Sequence, residues 1–220
     1  MHFGLIAVKA SVSEFRAAFP ETWPGLQIAA SADGFRNADE IWSWKDANER
    51  FVSAANWTKE NPGSEVHVLC QDGPWAVLMD FNYVLAGDEK ALQHLSARFG
   101  TALSFIVETS GGCAFFWCYE SGRLRRMING QDGEVTSSGE RLAQEAELPA
   151  DRYYMDETEQ LMRAMGLSRP DELPVVPTAI ALAVIDRTDH ARAAAAAAHE
   201  KPDFRESPPP QERKPWWRFW

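Results

Sequence analysis

The chain has 220 residues, of which 45% are hydrophobic and 25% charged, and this composition excludes a wholly disordered protein. The formal net charge of −10 is unevenly placed, because the last twenty residues carry +2 and the rest of the chain −12. An acidic body repels the phosphates of nucleic acid, so basic proteins or cations are the expected partners.

Cysteine usage and the N-terminus bear on the compartment. Three cysteines, an odd number, argue against a secreted disulfide scaffold and favour a reducing environment. The opening MHFGLIAVKA has no basic leader region, and Lys9 interrupts its apolar run. We therefore expect a cytoplasmic protein of bacterial type.

The first hundred residues predict strands alternating with helices. GLIAVKAS reads as a buried strand that enters a helix, because Ser11 and Glu14 have capping-box spacing. LQIAAS predicts a second strand, and Asn37 opens a helix over residues 38–57. EVHVLCQDGPWAVLMDF has the pattern of a β-hairpin, and Asp88 caps the helix that follows it.

Four strand-like runs follow, namely TALSFIVET, CAFFWCYE, RLRRMIN and GEVTS, and the glycine-rich turns between them predict an antiparallel meander. A two-residue turn at Ser121 and Gly122 sets the expected register. It pairs Glu120 with Arg123, Tyr119 with Leu124 and Trp117 with Arg126.

These elements indicate an α+β fold in which an antiparallel sheet is layered with helices. Strand, helix and strand succeed one another at residues 4–31 and again at 76–108, so a pseudo-duplicated unit is conceivable. We expect residues 1–150 to form this domain.

After residue 150 the strand signals stop. DETEQLMRAMG predicts a helix, and a second is expected from about Thr178 through AIALAVIDRTDHARAAAAAAHE, because alanine favours helix. The expected organisation is a helical extension over 151–200, a proline-rich tether over 201–214 and an aromatic tail over 215–220.

Standard catalytic signatures are absent from the sequence, and we predict no catalytic residue, metal ligand or cofactor. Cys113 and Cys118 lie five positions apart on one strand and point to opposite faces, so they do not share a metal. The competing interpretation is an enzyme whose site is assembled from dispersed groups, for which Asp80, Glu108 and His67 are the candidates.

Two further sets of residues are candidates for binding. Arg123, Arg125 and Arg126 form a small basic cluster on an acidic protein and could hold an anion. Between residues 131 and 160, by contrast, nine carboxylates face only two arginines. This acidic segment is expected to meet a basic partner.

The segment YESGRLRRMINGQDGEVTSSGERLAQE resembles the end of the sheet in uncharacterised bacterial α+β proteins, some of which look like immunity proteins of toxin systems. The resemblance spans residues 119–145 and is carried by an aromatic strand, a glycine turn, Leu-x-Arg, Gly-x-Val and a closing GE-x-L-x-x-E. It implies an α+β fold and no catalytic residue.

The chain ends in KPWWRFW, a tail whose candidate binding residues are Trp216, Trp217, Arg218, Phe219 and Trp220. Such a cluster is typical of an interaction site, and the arginine adds charge complementarity. Another protein, the membrane interface and the chain's own acidic segment are alternative targets. The expected function is therefore that of a non-catalytic binding protein, immunity-like or an adaptor, with a protein partner and at most weak membrane contact.

Overall fold

A computed structural model describes residues 3–52, 56, 58 and 60–186, and within them nine strands form one antiparallel sheet. The strands are β1 Phe3–Val8, β2 Leu26–Ala32, β3 Glu65–Asp72, β4 Trp75–Asp80, β5 Thr101–Glu108, β6 Cys113–Glu120, β7 Arg123–Gln131, β8 Glu134–Gly139 and β9 Ile180–Asp186. In spatial order they run β2, β9, β3, β4, β1, β5, β6, β7, β8.

Helices cover both faces of the sheet. They are α1 Val12–Thr22, α2 Ala38–Asn48, α3 Glu89–Phe99, α4 Met155–Ala164 and the short α5 Val175–Thr178, with a 3-10 turn at Ala143–Glu145. The hydrophobic core forms two clusters, of which one includes residues of α2 and α4 and the other residues of α1 and α3. The α+β class with helices packed on an antiparallel sheet is thus confirmed.

Two-sided burial explains the apolar runs of the central strands. Every residue of β4 is buried, and successive side chains enter opposite core clusters: Trp75, Val77 and Met79 join one, and Ala76 and Leu78 the other. A strand buried on both faces has no solvent side, so its sequence shows no polar alternation.

The predicted start of α1, the β6–β7 turn and the antiparallel meander are all present in the structure. Ser11 and Glu14 form the reciprocal capping box that starts α1. The β6–β7 turn places Ser121 and Gly122 at positive φ, the conformation that a two-residue hairpin of type I′ requires. The meander from β5 to β8 is confirmed as four consecutive antiparallel strands.

The prediction of a helix from about Thr178 was wrong. Residues Ile180–Asp186 form β9, which pairs with β2 on one side and with β3 on the other. Its centre is buried on both faces, so sheet pairing overrides the helix preference of its alanines. The sheet domain therefore extends at least to residue 186 rather than ending at 150.

Two smaller predictions were also wrong. The second helix is α2, Ala38–Asn48, and it ends at Glu49 instead of continuing to residue 57. In the β6–β7 hairpin, Glu120 pairs with Arg123 and Tyr119 with Leu124 as expected, but a bulge after Cys118 shifts the rest. Arg126 consequently pairs with Cys118 and not with Trp117.

Gly130 marks a close crossing of two backbone segments. A Cβ atom at this position of β7 would overlap the carbonyl oxygen of Tyr153, which precedes α4. Glycine therefore lets the chain after β8 lie directly on the sheet and lead into α4.

The C-terminal part of the predicted organisation, residues 187–220 with the tether and the aromatic tail, lies outside the described residues. No helix among the described residues is long and apolar enough to cross a membrane.

Candidate functional site

His67 and Asp80 meet at the end of the β3–β4 hairpin that lies opposite its turn. The side chains are 2% and 0% exposed, and the imidazole Nδ1 lies 3.5 Å from the carboxylate Oδ1. Neither atom makes a hydrogen bond with the described residues. A buried histidine and a buried carboxylate thus face each other through one nitrogen and one oxygen that have no hydrogen-bond partner among the described residues.

Asp80 is held in place through its other oxygen. Oδ2 accepts hydrogen bonds from the backbone N–H groups of Leu85 and Ala86, each at 2.8 Å. These two bonds tie the end of β4 to the loop before α3 and fix the direction in which Oδ1 points.

Glu65 completes a cluster of three potential ligands. It stands two residues before His67 on β3, so the two side chains share a face of the sheet. Glu65, His67 and Asp80 offer ligand atoms that all lie within 4.8 Å of one another. A pocket of about 100 Å³ adjoins Glu65 and His67 and is further lined by Ser64, Leu85 and Val184.

The electrostatics of the cluster follow from burial and from its surplus of carboxylates. Burial lowers the pKa of His67 below its ordinary value and so favours the neutral imidazole, although Asp80, Glu49 and a backbone hydrogen bond with Met79 oppose this effect. Burial, followed by the charge of Asp80, raises the pKa of Glu65. Burial thus favours the uncharged forms of both His67 and Glu65.

Glu108 does not join this cluster. It ends β5, and its carboxylate accepts hydrogen bonds from the backbone N–H groups of Ser110 and Gly111 in the β5–β6 turn. Strand β1 separates β4 from β5, because Gly4 pairs with Asp80 on one side and with Ile106 on the other. Of the three residues of the predicted dispersed site, the structure brings only His67 and Asp80 together.

The three arginines of the predicted anion cluster lie in different surroundings. Arg126 is buried and binds Glu145, with Nε 2.9 Å from Oε1 and Nη2 2.8 Å from Oε2. Arg125 is satisfied by Glu140, at 2.7 Å. Arg123 is exposed and pairs across the hairpin with Glu120. The bulge turns Arg126 toward the core, where Glu145 occupies its guanidinium group, whereas Arg123 stays exposed.

The acidic segment is less negative at its surface than its sequence indicates. Glu145 and Glu157 are buried, and they pair with Arg126 and Arg152. The exposed carboxylates of the segment are Asp132, Glu134, Glu140, Glu147, Asp151 and Asp156. Asp132 and Glu134 lie at the β7–β8 turn, so part of this charge borders the edge of the sheet.

The cysteines are placed as expected for structural thiols. Cys70 and Cys118 are buried in one core cluster, whereas Cys113 is half-buried and points to the other face from Cys118. Burial raises the pKa of Cys70 and of Cys118 to about 12. Both thiols are therefore protonated at neutral pH.

Sequence reasoning missed Glu65 and the backbone anchors of Asp80. The spacing Glu65-x-His67 on a strand was an available signal, since alternate residues share one face. The two anchors of Asp80 gave no signal in the sequence, because Leu85 and Ala86 contribute only their backbone N–H groups.

Comparisons with protein-family models, with curated proteins and with solved structures each found no match to this chain.

Proposed function

We propose that the chain is a binding protein that takes up an extended, basic segment of a partner protein along the edge strand β8. The observation that carries this proposal is the exposure of that strand: five of its six residues are exposed, and among the described residues it pairs only with β7. An edge of this kind is a template for an added strand.

The two edges of the sheet differ in how they are protected. At the other edge, β2 is bulged between Ile28 and Ala30, and a bulge discourages further pairing. The β7–β8 register runs without a shift from Arg126 and Gly139 to Gln131 and Glu134. β8 is thus the more regular and more open of the two edges.

Charge and shape beside β8 favour a basic occupant. Asp132 and Glu134 are exposed at one end of the strand, and Glu140 follows its other end. Two cavities of about 260 and 180 Å³ lie beside the strand and share Val135 and Tyr153 as lining residues. A strand added to β8 would place alternate side chains toward these cavities, which is how such additions gain specificity.

Peptide binding tests the proposal. A fluorescent peptide of alternating lysine and valine should bind the full chain, and a glutamate and valine counterpart should not. The E134K/T136K variant reverses the charge along the edge without touching the inward side of β8, and should weaken binding about tenfold or more, which corresponds to about 1.4 kcal/mol. Q27K on β2 is the matched control. Equal binding of both peptides, or no effect of E134K/T136K, contradicts the proposal.

The adaptor or immunity-like role predicted from the sequence adds a second contact through Trp216, Trp217 and Trp220 of the tail. Its support is the sequence alone, in which large aromatic rings stand beside basic residues. A chain that ends at Lys201 should lose any partner that the tail holds. Recovery of the same partners in equal amounts by the full and the shortened chain contradicts docking through the tail.

A further inference from the structure

We propose that Glu65, His67 and Asp80 bind one divalent transition-metal ion, for which Zn²⁺ is the fitting probe. The proposal is independent of strand addition at β8, since the cluster lies at the end of β3 and β4. Its basis is the convergence of a nitrogen ligand and two carboxylates within 4.8 Å.

The geometry of the His67–Asp80 pair suits a shared cation. Two ligand atoms bound to one tetrahedral zinc at about 2.0–2.1 Å are about 3.4 Å apart. His67 Nδ1 and Asp80 Oδ1 are separated by 3.5 Å, and neither has a hydrogen-bond partner among the described residues. Buried polar atoms are normally satisfied, so an atom placed between these two would remove the cost of leaving both unpaired.

The surroundings orient the ligands as metal sites require. Asp80 is anchored through Oδ2 by two backbone N–H groups, which leaves Oδ1 directed at His67. Asn82 hydrogen-bonds to the side chain of Glu65. Such outer contacts set the direction of ligating groups and strengthen metal binding.

An entry path exists through Glu65. Its side chain is 42% exposed, and it lines both the pocket of about 100 Å³ beside His67 and a surface depression of about 460 Å³. The smaller pocket has room for a water molecule as a fourth ligand. The Glu65 carboxylate now lies 4.0 Å from Nε2, the other imidazole nitrogen. Because Glu65 is long and half-exposed, its side chain can turn toward Nδ1 and join an ion held there by the two buried ligands.

The ligand set selects the class of metal. Calcium and magnesium prefer sites built wholly from oxygen, whereas imidazole with carboxylates suits zinc and its neighbours in the first transition row. The charge of the site also favours a cation, since Glu49 and Asp186 add to the negative potential at Glu65.

Titration calorimetry of the full chain, freed of metal and of any histidine tag, tests the site with ZnCl₂ and CoCl₂. We expect one ion per chain and, with Co²⁺, the visible absorption of a four-coordinate complex. At a zinc concentration about 100 times the dissociation constant, the melting temperature should rise by about 5–10 °C.

The decisive variant is E65Q, because Glu65 is half-exposed and glutamine can keep a hydrogen bond to Asn82. It should fold normally and bind zinc at least about tenfold more weakly. E147Q, an exposed glutamate elsewhere, and H94Q, an exposed histidine on α3, are the matched controls and should bind as the parent does. The absence of zinc binding by the parent chain, or an unchanged affinity in E65Q, overturns the proposal.

Discussion

Replacing Arg126 by methionine should destabilise the fold severely, because it leaves the buried carboxylate of Glu145 without its charged partner. The Arg126 and Glu145 side chains are 10% and 3% exposed, and the guanidinium also donates to the carbonyl oxygens of Ser138 and Gly139. In R126M, the described residues leave the carboxylate of Glu145 with a single hydrogen bond, from the backbone N–H of Leu142. Breaking one side of a buried pair costs about 3–5 kcal/mol.

Urea denaturation followed by tryptophan fluorescence measures this loss. For a chain of this size the same change corresponds to a fall in melting temperature of roughly 6–20 °C. R125M is the matched control, because Arg125 forms an ion pair near the surface and its loss should cost no more than about 1 kcal/mol.

The double variant R126M/E145M tests whether the loss of stability in R126M comes from the unpaired buried charge of Glu145. Methionines of similar volume remove both charges together, so the double variant should recover to within about 1–2 kcal/mol of the parent or exceed it. The reasoning fails if R126M costs under about 1 kcal/mol, or if the double variant is no more stable than R126M.

Two other features give predictions of the same kind. G130A should lower the free energy of unfolding, measured by urea denaturation, by more than about 3 kcal/mol, because the new methyl group overlaps the backbone carbonyl of the crossing segment. G133A, at positive φ with open space around it, should lower it by about 1–2 kcal/mol. Equal losses of stability would refute the steric argument. In native protein at pH 8, a thiol reagent should modify Cys113 faster than Cys70 and Cys118, because only Cys113 is partly exposed. Burial raises the pKa of all three thiols, and those of Cys70 and Cys118 reach about 12. All three thiols should react in urea, and rapid native labelling of either buried cysteine would contradict this assignment.

Most of the sheet could be predicted because its signals are local. Short turn sequences determine both the hairpin from Glu65 to Asp80 and the meander after Thr101. β9 could not be predicted in this way. A short apolar run has the same pattern in a buried strand and in a buried helix, and only the distant strands β2 and β3 decide between them.

The candidate site was predictable only in part. His67 and Asp80 stand near the ends of the two strands of one hairpin, so their meeting depends on a register that the turn fixes. The burial of Arg126 depends on a bulge between β6 and β7, which shifts the pairing of every later residue of β7 by one position. No local feature of the sequence announced that extra residue.

Strand β9 is synthesised long after the two strands with which it pairs, β2 and β3. About 150 residues separate β2 from β9, and at ribosomal rates of about 5–20 residues per second this interval lasts roughly 7–30 s. Until β9 emerges, β2 has no neighbour in the sheet and the outer edge of β3 is open. The nascent protein therefore carries an incomplete sheet for most of its synthesis, and the seven residues Ile180–Asp186 close it late.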